Sequence, residues 1–269
     1  MVYLVYMVAG LSSRFGGKSK SFVPVGPNGE SLIEISLNQA LESSFDKIIF
    51  IVGEKTEQLF KEHFGNNYKG IPVEYALQKF NPDERDKPWG TCDAVVSVAH
   101  LLTDDCVVCN GDDLYGATSF AYMYECAKIY LTSGTLGYKL ESVLPENGAV
   151  NRGIFKIDTN SYVQEIIETL GIEKIKLAEM NLSLNMLTSQ NIFALKKEVI
   201  PLLAQQLEIF KSTHMGDRKA ECYLPTELSN LIKEHKIRMV LFNAPDKWIG
   251  LTNPEDELIV KNTLARWYK

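Results

Sequence analysis

The chain has no uninterrupted apolar run of the roughly 18 to 20 residues that a membrane span needs, and Met1-Val2-Tyr3 lacks the basic start of a signal peptide. A soluble, cytoplasmic protein is expected. Cysteine is scarce: Cys92, Cys106, Cys109, Cys126 and Cys222 are odd in number and irregularly spaced, which argues against a disulfide framework. Cys106-Val107-Val108-Cys109 has C-x-x-C spacing, but it lies in an apolar strand with no second pair or suitable histidine nearby, so it reads as core. His63, His100, His214 and His235 are scattered. Positive charge is also short. The net charge is −6 with no cluster of lysine and arginine, which argues against nucleic acid as a partner. Anionic substrates then need cations gathered locally. No internal repeat is present, so a β-helix is not expected. What remains is 45% apolar content over 269 residues, ample for one large α/β domain or two small ones.

The local cations sit in the stretch around which the rest is organised. Val2 to Val8 is unbroken apolar, as suits a strand buried on both faces. It runs straight into Ala9-Gly10-Leu11-Ser12-Ser13-Arg14-Phe15-Gly16-Gly17-Lys18-Ser19-Lys20. Glycines there let several N–H groups converge on one anion, and Arg14 with Lys18 or Lys20 supplies charge. Gly17-Lys18-Ser19 matches the tail of a P-loop, but Ser12 stands at the leading glycine. The prolines and glycines between Pro24 and Gly29 also forbid the helix a P-loop serine opens. The G-x-G-x-x-G pattern fails too, leaving a long loop that wraps a nucleotide.

Ala9-Gly10, Arg14, Gly16-Gly17, Lys20 and Pro24-Val25-Gly26-Pro27-Asn28-Gly29-Glu30 resemble the signature of the nucleoside-diphosphate-sugar pyrophosphorylases, the sugar-1-phosphate nucleotidyltransferases. The resemblance implies an α/β fold: a Rossmann-like, mixed but mostly parallel central sheet flanked by helices, of the nucleotide-diphospho-sugar transferase type. It implies one domain over 1–269, with a nucleotide-binding half over 1–140 and a sugar-binding half over 141–269. The implied partners are an NTP and a sugar 1-phosphate, with no nucleic acid and no membrane, and with room for a homo-oligomer.

Further along, Ser31-Leu32-Ile33-Glu34 fits a capping box, and Ile33, Leu37, Ala40 and Leu41 recur at helical spacing. Strand Lys47 to Val52 completes a βαβ unit. A helix over Thr56 to Phe64 and a strand over Val73 to Leu77 follow. Gln78 to Thr91 is a polar loop at a strand end, where doubly wound sheets put ligands. The resemblance makes Gln78 a reader of the base and brings Gly90 and Thr91 close to base and ribose, alongside Ala9, Gly10, Ser12 and Ser13 as nucleotide-binding residues. A helix from Cys92 to Leu102 precedes strand Cys106 to Cys109. At that strand's end Asn110-Gly111-Asp112-Asp113 reads either as a solvated turn or as a Mg²⁺ ligand set. The resemblance favours Asp112 as the metal-binding residue, with Mg²⁺ as cofactor.

After a helix to Leu131 and a strand over Thr135 to Leu140, the segments from Gly148 to Asp158 and from Tyr162 to Glu168 read as a hairpin. The resemblance makes Glu168 a ligand of sugar hydroxyls. The lysine usually beside it is Thr169, so Lys174 or Lys176 is expected to take its place. Leu182 to Leu187 reads as a strand carrying Asn185 near the sugar. A helix over Glu198 to Lys211 follows. Around Glu221 to Glu227, where many relatives carry a second metal-binding aspartate, this chain offers Thr226 between Glu221 and Glu227. Val240 to Phe242 is a late strand. Lys247 to Asp256 resembles a W-x-D-x-G-T-P-E-D segment with Gly250 and Thr252 in place of its aspartate and first glycine, and Trp248 is read as packing. The chain ends without room for the β-helix some relatives append.

The implied reaction is NTP plus sugar 1-phosphate giving NDP-sugar plus pyrophosphate. Arg14 is assigned to the leaving pyrophosphate, Lys20 to the reacting phosphates and Asp112 to Mg²⁺, with Lys18 the rival of Lys20. UTP with glucose or N-acetylglucosamine 1-phosphate is the first expectation. A cytidylyltransferase acting on a non-sugar phosphate, and a nucleotide-binding pseudoenzyme, are the alternatives.

Overall fold

Strand β1 (Val2–Met7) is apolar throughout because both of its faces are covered. Val2, Leu4 and Tyr6 enter one core layer, and Tyr3 and Val5 enter the other. The same alternation holds in β2 (Lys47–Val52) and β5 (Asp105–Asn110), so the central sheet has a hydrophobic layer on each side. These strands belong to a computed structural model that describes residues 1–10, 19–145, 148–251 and 256–267.

Between β1 and β2 lies α1 (Leu32–Ala40); α2 (Glu57–Phe64), β3 (Asn67–Tyr68), β4 (Ile71–Leu77) and α3 (Thr91–Ser97) lead to β5. After β6 (Asp113–Leu114) come α4 (Ala117–Ile129), β7 (Ser133–Lys139) and α5 (Leu140–Val143). The hairpin is β8 (Val150–Ile157) with β9 (Val163–Ile172). Then follow β10 (Leu187–Thr188), β11 (Phe193–Leu195), α6 (Val199–Thr213), α7 (Leu224–Lys233), β12 (Met239–Asn243), β13 (Ile249–Gly250) and α8 (Asp256–Trp267).

One sheet of eleven described strands runs β3-β4-β2-β1-β5-β11-β7-β10-β8-β9, with β12 paired to β7. Strands β4, β2, β1 and β5 are mutually parallel, and β12 is parallel to β7. Strand β11 enters antiparallel between β5 and β7, and the β8–β9 end is antiparallel. The result is the expected mixed sheet flanked by helices. The C-terminal ends of β1 and β5 lie side by side, with Met7 opposite Asn110, and there the chain leaves the sheet towards Lys20 and Asp112.

Two segments depart from the sequence reading. Leu182 to Leu187 is not a strand: Met186 N–H closes a turn on Ser183 O at 3.1 Å, and Ser183, Leu184 and Asn185 are all exposed, so only Leu187–Thr188 joins the sheet. Helix α7 was not anticipated: the stretch around Glu221 to Glu227 was read for a metal ligand and given no secondary structure. Pro225 falls in the first turn, where its missing N–H costs nothing, and Leu224, Leu228, Leu231 and Ile232 are buried.

Candidate active site

Lys20 opens a single 3-10 turn, Lys20–Phe22. Its Nζ donates to Leu251 O at 2.9 Å and lies 3.6 Å from Asp112 Oδ2. Asp112 follows β5, and its backbone carbonyl accepts from Leu251 N–H at 3.3 Å. Strand β13 pairs antiparallel with β6, placing Gly250 opposite Asp113. Three distant parts of the chain thus meet at one point, and Asp112 keeps 38% of its side chain exposed to the space in front of it.

That space is a cleft of about 350 Å³. Lys20, Asn110, Asp112 and Asp113 line one side; Arg152, Gly153 and Glu168 come from the hairpin; Ser189, Gln190 and Asn191 come from the turn between β10 and β11. Thr91, Tyr223, Trp248 and Leu251 complete much of the wall. Gly153 stands opposite Glu168 in the hairpin, and a Cβ added at Gly153 would lie 3.9 Å from Glu168 Oε2. What the glycine avoids is Ile166, whose Cγ2 would lie 2.9 Å from that Cβ.

The adjacent aspartates play different parts. Asp113 is buried, and its Oδ2 accepts from Asn110 Nδ2 at 2.9 Å and from Tyr115 Oη at 3.2 Å. Burial, reinforced by the neighbouring Asp112 charge, pushes the Asp113 carboxyl well above the usual carboxylate range. A Cβ at position 250 would lie 2.5 Å from Asp113 Oδ1 and 2.3 Å from the Trp248 ring. The aspartate that the resembled segment carries at position 250 therefore has no space here. Asp113 fills that place.

The loop before α3 is tied to the segment before α7. Trp89 O accepts from Cys222 N–H at 2.7 Å, Cys92 N–H donates to Cys222 O at 3.0 Å, and Leu224 N–H donates to Thr91 Oγ1 at 2.9 Å. Buried Arg85 donates to the carbonyls of Lys87, Asp217 and Ala220, with its guanidinium carbon 3.2 Å from the centre of the Trp89 ring. Gly90 has φ of +96°, and an added Cβ would stand 2.6 Å from Cys222 O. Only glycine suits that approach.

The expected site residues divide accordingly. Lys20, Asp112, Thr91 and Glu168 come together in the cleft. Gln78 does not: it is buried, and its Nε2 donates to Gly90 O at 3.0 Å and to Asp93 Oδ2 at 2.8 Å. With the amide hydrogens committed inward it braces the loop instead of presenting a donor to a base. Asn185 is exposed in its turn and does not line the cleft; Asn110, Asn151 and Asn191 do, the last held at φ of +56°. Ala9 and Gly10 follow the end of β1, and Gly90 lies in close approach to Cys222. Arg14, Ser12, Ser13 and Lys18 lie outside the described residues, as do Thr252 to Glu255 of the late motif. Lys174 and Lys176 form a 3-10 turn away from the cleft lining, with Lys176 Nζ 2.5 Å from Glu173 Oε1.

Sequence reasoning missed Arg152, Tyr223 and the Ser189 to Asn191 turn, and it took Trp248 for packing alone. Asn151-Arg152-Gly153, a cation against a glycine at the start of the hairpin, was the available signal for Arg152. The C-x-x-C cysteines are buried core, and burial pushes the Cys106 thiol up to about 12, far from reactive. Among the described residues no group of three or more acidic, histidine or cysteine side chains forms a metal cage, and no helix is long and apolar enough to cross a membrane.

A family model described as nucleotidyl transferase matches residues 15–216. The chain is 25% identical over 117 residues to a UTP–glucose-1-phosphate uridylyltransferase, AglF, of Haloferax volcanii, a match covering 42% of this chain and 44% of that protein. It is 27% identical over 172 residues to the bifunctional protein GlmU of Methanococcus maripaludis, covering 57% of this chain and 38% of that one. Each match spans less than half of the relative's own length. A solved UDP-glucose pyrophosphorylase complexed with UDP-glucose superposes with a TM-score of 0.70 over 99% of both chains at 15% identity, a likeness of fold.

Proposed function

The chain belongs to the nucleotidyl transferase family, and from that premise we propose that it transfers a nucleotidyl group from an NTP to a sugar 1-phosphate, releasing pyrophosphate. The observation that carries the reading is the meeting of Lys20 and Asp112, 3.6 Å apart, at a cleft walled by both halves of the chain. UTP and glucose 1-phosphate are the first substrates to test, as the names of the similar proteins suggest. The cytoplasm, where NTPs are made, is the proposed location.

The sugar-phosphate oxygen attacks the nucleotide α-phosphorus in line; the new P–O bond forms as the bond to the β-phosphate oxygen breaks, and pyrophosphate leaves. Two like charges about 4 Å apart repel by roughly 4 kcal/mol at an effective dielectric near 20, so neutralisation and alignment are the main tasks. Lys20 sets an ammonium beside the reacting phosphates, oriented by its bond to Leu251 O. Arg14 is assigned to the departing pyrophosphate.

Asp112 fits a Mg²⁺ ligand: it is a part-exposed carboxylate at the cleft, and a hard cation that bridges substrate phosphates takes only one or two protein carboxylates. Bound there with Asp112, Mg²⁺ would supply charge neutralisation at the α-phosphate. Asp113, already committed to Asn110 and Tyr115, shapes the site.

Asp112→Asn and Lys20→Met are expected to lower pyrophosphate release more than tenfold. Both should melt within a few degrees of the parent, because a part-exposed ion pair contributes only about 0–1 kcal/mol. Parent-like turnover in either variant would remove the assignment.

A further inference from the structure

Among the described residues lining the cleft, the cations are Lys20 and Arg152. Lys20 already faces Asp112. Arg152 is held differently: Nη1 donates to Asn151 O at 3.0 Å, Nη2 donates to Val143 O at 3.2 Å, and the guanidinium carbon stands 5.4 Å from the centre of the Trp248 ring. Among the described residues its buried Nε has no acceptor, and no carboxylate forms an ion pair with it. Asp113 and Glu168 attract it from farther away. A half-buried guanidinium with no ion-pair partner among the described residues is costly, and its planar fork of donors matches phosphate oxygens.

We propose that Arg152 binds the phosphate of the acceptor substrate, the phosphate monoester that attacks the nucleotide. This rests on the transfer reaction proposed above. The neighbours fit such an acceptor. Glu168 stands across from Gly153, the next residue along β8, and lines the same cleft, so a hydroxyl-bearing group attached to the phosphate meets a hydrogen-bond acceptor there. In the ladder Arg152 is itself opposite Thr169, the position at which a lysine was expected from the resemblance. The cation reaches the cleft from the partner strand, and Lys174 and Lys176 have no part in it.

The test compares the parent with Arg152→Gln, Arg152→Lys and Lys176→Ala, using UTP and glucose 1-phosphate, or whichever NTP and sugar 1-phosphate pair the parent turns over best. Arg152→Gln should raise KM for the sugar phosphate at least tenfold while KM for the NTP changes less than twofold. Arg152→Lys should recover part of the loss, and Lys176→Ala should match the parent; thermal melts establish that each variant is folded. Unchanged KM for the sugar phosphate, or equal increases for both substrates, would overturn the proposal and leave the transfer reaction standing. If the parent releases no pyrophosphate with any pair, calorimetric titration with glucose 1-phosphate decides. Binding that Arg152→Gln weakens tenfold keeps the phosphate site and removes the reaction, whereas no binding to the parent removes both. Should Arg152→Gln fail to fold, the Arg152→Lys comparison carries the test, with a rise of at least threefold confined to the sugar phosphate.

Discussion

At the residue scale, the positions that matter most are those where an extra atom has nowhere to go. Gly250→Asp would set a second carboxylate into space that Asp113 Oδ1 and the Trp248 ring already fill, since even a Cβ comes within 2.5 Å and 2.3 Å of them. Overpacking of that kind costs about 1–3 kcal/mol, and unpaired like charge adds to it. We expect a lower denaturant midpoint for this variant. Gly90→Ala combines a φ of +96° with a Cβ 2.6 Å from Cys222 O and should lose about 1–3 kcal/mol, measured by the same urea titration. Parent-like midpoints would contradict these contacts. Such constraints explain what was legible in the sequence. Charged residues beside glycine at strand ends carry a local signal that marked Lys18, Lys20 and the Asp112-Asp113 pair, and the family resemblance chose Lys20 and Asp112 among them. Gln78 could not be placed correctly: whether an amide faces a ligand or Asp93 depends on α3 folding back over it. Arg152 and Trp248 were passed over because they lie 96 residues apart in sequence and acquire meaning only when β13 docks on β6.

At the scale of elements, the strongest sequence signals were chemical caps and unbroken apolar runs. The Ser31 to Glu34 box forms as expected, with Ser31 N–H donating to Glu34 Oε2 at 2.8 Å and Ser31 Oγ at 2.6 Å. Burial raises the Glu34 carboxyl, but the Ser31 bonds and His63 outweigh it, so its pKa falls below the usual 4.5. A depressed carboxyl contributes stability above its unfolded value and loses it as pH falls through the folded value. Glu34→Ala should cost about 1 kcal/mol at neutral pH. Glu34→Gln keeps an acceptor for the cap and should show a shallower loss of melting temperature below pH 4.5 than the parent. Parallel pH profiles would contradict the cap. Strands β1, β2 and β5 were found within a residue of their limits, since burial on both faces leaves no polar position to mislead. The 182–187 segment was misread because its leucines and methionine alternate with polar residues, yet hydrogen bonds from Leu140 N–H and Glu141 N–H to Met186 O and Leu184 O shape it as a turn over α5.

At the scale of the whole molecule, one sheet runs through both halves, and the clasp between residues 85–92 and 217–224 links the loop after β4 to the start of α7. Arg85 is its centre. Arg85→Ala strands several carbonyl oxygens, each bond to a charged donor being worth about 1.5–3 kcal/mol, and should lower the melting temperature by about 5–10 °C. A drop under 2 °C would show that the clasp adds little to stability. The cleft it borders gathers Lys20 and Asp112 on one side and Arg152 and Glu168 on the other, and of these Arg152 was the residue that the sequence reading did not name. The account stands on these two sets of groups serving two substrates. The most direct measurement is pyrophosphate release by the parent and by Asp112→Asn across a panel of NTPs and phosphate monoesters, each supplied alone and in pairs. The prediction is release only when an NTP and a sugar 1-phosphate are both present, reduced more than tenfold in Asp112→Asn. Release from an NTP alone, an undiminished rate in Asp112→Asn, or no release with any pair would contradict it.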